Sequence, residues 1–145
     1  MTVHSVSHVA VGVRDMDRSL TFYRDLIGLD VRFDDIEEFR GAEDLPAVRR
    51  RGVYLRWSDD PHAPFIVLDQ QLTRGVAGEP KEMYEPGIHH FGFWVDDCEG
   101  VYKRAIDAGC ESVSEPRRLD RWPVVVAFIK DFDGYTVELV QRDPE

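Results

Sequence analysis

Two histidines and one glutamate stand out for where they sit. His8 lies in the alternating stretch Ser5-Val6-Ser7-His8-Val9-Ala10-Val11-Gly12-Val13, with Val9, Val11 and Val13 on one face. His8 shares the other face with Val6, Ala10 and Gly12. His90 lies the same way in Ile88 to Val95, opposite Phe91, Phe93 and Val95. Each histidine stands seven residues before an aspartate suited to cap a helix, Asp15 or Asp97, and the two are one repeat apart (90 − 8 = 82). Glu138 sits in Tyr135-Thr136-Val137-Glu138-Leu139-Val140, where burying an unpaired carboxylate costs on the order of several kcal/mol. A divalent cation removes that penalty and holds both imidazoles neutral. Two imidazoles and one carboxylate leave coordination positions open, as a catalytic metal requires. The other histidines read more simply: His4 near the chain end, His62 in a turn, and His89 pointing opposite to His90.

The elements that must position these groups recur in the same order. After the first strand, Asp15 offers an N-cap, and Met16, Leu20, Tyr23, Leu26 and Ile27 follow at helical spacing to Gly28. Leu29 to Asp35 reads as a second strand. A charged loop follows, then strands at Gly52 to Trp57 and Pro64 to Gln70. A linker rich in Gly, Pro and Glu covers 72–86. The second copy then runs through a strand at Ile88 to Val95 and a helix from Asp97 to Gly109. Strands at Glu111 to Arg117, Val124 to Lys130 and Tyr135 to Gln141 complete it. The expectation is an α+β domain over 1–145, with βαβββ modules at 5–71 and 87–142. Paired, their sheets would curl into a half-barrel cup with helices outside and both histidines facing the concave side.

Composition narrows the partners. The chain has 145 residues, 43% hydrophobic and 32% charged, an ordinary globular balance. A net charge of -10 disfavours nucleic acid or an anionic membrane as the main partner. Arg49-Arg50-Arg51 and Arg117-Arg118 read as solvated runs in preference to anion sites. With only Cys98 and Cys110 and no C-x-x-C pair, neither a disulfide framework nor a thiolate zinc site is expected. No apolar run reaches membrane-spanning length, so a cytoplasmic setting is expected. Sheet edges favour a homodimer. Trp57, Trp94 and Trp122 read first as core or interface residues, and second as the lining of an aromatic-binding cup.

At Ser7-His8-Val9-Ala10-Val11, at Ser19-Leu20-Thr21-Phe22-Tyr23-Arg24-Asp25-Leu26-Ile27-Gly28-Leu29 and at Lys130-Asp131-Phe132-Asp133-Gly134-Tyr135-Thr136-Val137-Glu138, the chain resembles the vicinal oxygen chelate superfamily. That superfamily includes glyoxalase I, extradiol dioxygenases, fosfomycin-resistance thiol transferases, methylmalonyl-CoA epimerase and bleomycin-resistance proteins. The resemblance implies metal ligands on the first, fifth and eighth strands, matched by His8, His90 and Glu138, and a small substrate chelated through oxygen. Glyoxalase I and the epimerase carry a further Glu or Gln on the last strand of the first module. Here Val67 takes that position unless the register slips to Asp69 or Gln70. Extradiol dioxygenases usually have Tyr where this chain has Phe128, and the fosfomycin enzymes have Thr where it has Ala10. The first expectation is a dioxygenase-like enzyme using Fe(II) or Mn(II) on a diol or enolisable carbonyl. A glyoxalase-like lyase or isomerase using Zn, Ni, Co or Mn, with Asp69 or Gln70 as base, is the alternative. A metal-free binding or resistance protein is the third reading.

Overall fold

The computed structural model describes residues 2–39 and 47–143. The fold is α+β, and the chain divides into two compact units, Met1–Ala77 and Gly78–Glu145. In the first, strand β1 (His8–Gly12) leads into helix α1 (Met16–Leu20), then β2 (Asp30–Phe39), β3 (Val48–Arg56) and β4 (Phe65–Gln71). The second repeats this with β5 (His90–Trp94), α2 (Cys98–Asp107), β6 (Ser112–Arg118), β7 (Val124–Lys130) and β8 (Thr136–Arg142). The sheet orders match: β1-β4-β3-β2 and β5-β8-β7-β6. In each, the first and last strands of the unit run parallel and the other neighbours antiparallel. Among the described residues, no helix is long and apolar enough to cross a membrane.

Both helices start and stop as their residues dictate. Asp15 accepts a hydrogen bond from the Arg18 N–H and Asp97 from the Gly100 N–H. Gly28 (φ +90°) and Gly109 (φ +95°) supply the left-handed backbone after each helix. Helix α1 is irregular, because its continuation Thr21–Leu26 widens into a π-helix, with the Ile27 N–H donating to the Phe22 carbonyl. The wider turns carry Phe22 and Tyr23, both fully buried and edge to face at 4.8 Å. Beneath them lie Val11, Val53, Leu55, Ile66 and Leu68, all buried. In the second unit, Phe93, Val101, Ala105, Ile129, Val137 and Leu139 fill the equivalent core.

Each helix also rests on a glutamine of its last strand. Gln70 Oε1 accepts from the Met16 N–H at 2.9 Å, and Gln141 Oε1 from the Cys98 N–H at 2.7 Å. The matched pairs satisfy an N–H of each helix's first turn that has no partner within the helix.

The first unit departs from expectation between Asp35 and Gly52. Both ends of the segment read as a charged loop are strand: β2 runs on to Phe39 and β3 begins at Val48, while 40–46 lie outside the described residues. Opposite charges face each other across the ladder, with Glu37 beside Arg50 and Glu38 beside Arg49. Arg50 bonds both Glu37 and Asp69, and Arg51 bonds both Asp34 and Asp17. Arg50 and Arg51 are thus paired with carboxylates of the sheet and, for Arg51, of α1, so the solvated-run reading fails for these two.

Candidate metal centre

Strand parity sets the candidate ligands on the sheet face away from the helix. In the second unit, His90, Gly92 and Trp94 of β5 lie beside Thr136, Glu138 and Val140 of β8. His90 Nε2 is 3.8 Å from Glu138 Oε2, too long for a hydrogen bond. Gly92, directly opposite Glu138, makes the approach possible: a Cβ there would lie 3.3 Å from both the Cβ and Oε2 of Glu138. His90 Nδ1 lies 2.7 Å from His89 Nδ1, and the two rings stack at 4.8 Å. The expectation that His89 points away from His90 is therefore wrong. His89 precedes the first residue of β5, and strand alternation does not govern it. Phe128 packs edge-on against His90 at 5.7 Å.

His8 occupies the same station in the first unit. Its Nδ1 is 2.6 Å from Ser7 Oγ, and its ring stacks on Phe65 at 5.2 Å, with the Arg56 guanidinium 4.4 Å from the same phenyl ring. Thus the residue preceding each histidine engages Nδ1, and where Nδ1 carries the proton, Nε2 holds the lone pair a cation needs. Ser7 and His89 were missed by sequence reasoning. Their signal is the shared position before each histidine.

The register fixes the fourth position. Ala10 pairs with Val67 as Gly92 pairs with Glu138, so Val67 is the first unit's counterpart of Glu138. No slip brings Asp69 or Gln70 there. Asp69 is bonded to Arg50 and Gln71, and Gln70 to the start of α1, which removes both as free bases. Among the described residues, neither unit by itself gathers three His, Cys, Asp or Glu side chains around a common point. Cys98 is no candidate either: burial pushes its thiol up to about 11, and its Sγ donates to the Leu139 carbonyl.

Donor types and spacing in the second unit suit a divalent ion. Nitrogen and oxygen ligands about 2.1 Å from one ion stand about 3.0–3.4 Å apart, so this pair closes on a cation with a small side-chain adjustment. Glu138 also borders an open hollow of about 660 Å³ walled by Trp94, Trp122, Val126, Val140 and Arg142. Trp57, Trp94 and Trp122 are 47%, 66% and 64% exposed, so none of them is a core residue.

Residues 5–139 match the Glyoxalase/Bleomycin resistance protein/Dioxygenase superfamily, and the chain belongs to it. Within that family, it is 29% identical over 94% of its length to a probable chloroplastic lactoylglutathione lyase of Arabidopsis thaliana, of which it spans 35%. It is 26% identical to a probable lactoylglutathione lyase of Synechocystis, covering 92% of both chains. The chain thus spans about a third of the plant relative and nearly all of the cyanobacterial one. A glyoxalase family protein from Bacillus cereus has the same fold, with TM-score 0.85 at 19% identity over 99% of this chain and 97% of that one. Glyoxalase I from Zea mays follows at TM-score 0.70 and 20% identity, over 96% of this chain and 45% of that one.

Proposed function

We propose that this chain is a metal-dependent enzyme whose divalent ion is held by His8, His90 and Glu138. On this reading it works as a glyoxalase-like lyase or isomerase, moving a proton at a carbon beside the carbonyl of a small substrate. The observation that carries the reading is the His90–Glu138 pair, with the imidazole anchored through Nδ1 and Gly92 clearing space for the carboxylate. His8 is included because it holds His90's place in an equivalent strand and is anchored the same way. When bound, the ion supplies Lewis-acid polarisation of a substrate oxygen. The chain's own part is to fix the two imidazoles, to hold Glu138 against β5, and to offer an apolar hollow that sheds water from the bound substrate.

The lyase ranks above the dioxygenase expected from the sequence for two reasons. The relatives that align along most of this chain carry the name lactoylglutathione lyase. Phe128, edge-on to His90, provides no hydroxyl where the extradiol enzymes usually place one. One observation favours the dioxygenase: with Val67 in the fourth position, the donor set is two histidines and one carboxylate, the set typical of iron(II) oxygenases.

Elemental analysis after metal loading tests the site. One equivalent in the wild type, lost in His8→Ala, His90→Ala and Glu138→Ala, supports it; retention in any of the three refutes that residue's role. Metal-dependent exchange of a proton beside a carbonyl into deuterated water supports the lyase, while oxygen uptake with catechols after iron(II) loading replaces it with the dioxygenase. Ligand binding unaffected by chelators, with no metal retained, leaves the binding-protein reading. A homodimer belongs to the proposal, since each sheet ends on two edge strands that a second copy can cover. Light scattering checks it.

A further inference from the structure

We infer that the hollow beside Glu138 selects a flat, apolar substrate with one anionic group at the end remote from its metal-binding oxygens. The inference rests on the reading of Glu138 as a metal ligand. It comes from how side chains line up along β8. Glu138, Val140 and Arg142 share one face, because alternate residues of a strand do, and four residues place Arg142 about 13 Å from Glu138 along the strand. Between these ends the walls are apolar: Val140 lies beside Val126 on one side and Trp94 on the other, and Trp122 closes the hollow from the loop before β7.

Three features give the hollow a small-molecule character. Two indoles more than three-fifths exposed are a large apolar area, and here they wall the same concavity as a carboxylate. Arg142 lies over the Trp94 ring at 5.2 Å, which holds the guanidinium in place. Among the described residues, Arg142 has no carboxylate partner. The neighbouring Asp143 is already bonded to Arg118. An oxygen-donating head thus meets the metal side, a planar body meets the indoles and valines, and a single anion meets Arg142. A peptide thiol adduct bearing several charges would find one cation and largely apolar walls, so this chain's substrate differs from the one its relatives' names imply.

The test uses the full chain and two probes. 2-Naphthoate has the body and the anion but no chelating oxygens, and it reads the hollow in chelator-treated protein by tryptophan quenching and calorimetry. 6,7-Dihydroxy-2-naphthoate adds a vicinal diol at the opposite end. Arg142→Gln should weaken 2-naphthoate about tenfold and leave the neutral 2-naphthalenemethanol unchanged. Trp122→Ala should weaken both, with an unaltered circular dichroism spectrum. Mn(II) should then tighten the diol probe in wild type and not in Glu138→Ala. A diol indifferent to Mn(II), with 2-naphthoate still dependent on Arg142, sinks the metal reading and upholds the hollow's selectivity. Equal binding of 2-naphthoate by wild type and Arg142→Gln overturns the inference. So does no binding at all with loss of self-association in Trp122→Ala, which would put a second copy of the chain in the hollow.

Discussion

A single methyl group at residue 92 tests whether Glu138 is held where a metal needs it. In Gly92→Ala the new Cβ would stand 3.3 Å from the Glu138 Cβ, 3.3 Å from Oε2 and 3.4 Å from the backbone oxygen. Ordinary contact needs a few tenths of an ångström more. The two strands separate slightly or the carboxylate swings away from His90, and the carboxylate is the softer of the two. Strain of this size at a half-exposed position costs about 1 kcal/mol and lowers the melting temperature by about 3 °C. The displaced oxygen costs more in binding. A ligand moved by about half an ångström loses on the order of tenfold in metal affinity, about 1.4 kcal/mol.

The first unit supplies the control, since its equivalent pair is Ala10 beside Val67 and it accommodates the methyl. The double variant Gly92→Ala/Glu138→Val copies that pair. It should recover most of the lost stability and bind no metal. Competition against a fluorescent chelator measures affinity, and thermal unfolding by circular dichroism measures the rest. Were Gly92→Ala to bind metal as tightly as the wild type, or the double variant to melt as low as the single one, the glycine would have nothing to do with seating Glu138.

Other expectations follow from particular contacts. Gln70→Ala and Gln141→Ala each strand the first-turn N–H of a buried residue, Met16 or Cys98, and should cost about 1–2 kcal/mol in urea unfolding without changing metal content. The Arg51 hydrogen bond holds the Asp34 carboxyl below the usual carboxylate range. Its stabilisation is therefore present above that range and is lost as pH falls through the depressed folded value. Asp34→Asn should flatten the acid limb of stability below about pH 4, by only about 0.5 kcal/mol given its exposure. Cys98, buried and with its thiol raised to about 11, should resist iodoacetamide at pH 8 in the native state and react once the chain is unfolded.

The repeat was legible wherever packing dictates residue type, and illegible where the open sheet face does. Alternation, caps and terminal glycines located both helices and most strands, because burying Val11 or Phe93 beneath a helix leaves few choices of residue and spacing. The arginine hairpin was misread because charge signals solvent in a single strand, whereas here the opposite sign stands on the neighbouring strand, 13 residues earlier for Glu37 and Arg50 (50 − 37 = 13). The π-helix left no mark in the apolar spacing, since Phe22 and Tyr23 suit either winding. Gln70 and Gln141 were missed for a related reason. A glutamine in a strand reads as surface until the helix start it caps is known. These two glutamines also separate the repeat into two layers. On the helix side the units share the same cap, the same glutamine seat and the same terminal glycine, although only the first helix widens into π turns. On the far face they keep the histidine, His8 or His90, and differ around it: Val67 against Glu138, Phe65 against Thr136, Tyr54 against Phe128. The helix side is constrained by close packing, which leaves chemistry free to vary only on the other face. The histidine is common to both units, so what sets the second apart is the change of charge on that face: Glu138 for Val67 beside Gly92, Val140 for Asp69 and Arg142 for Gln71.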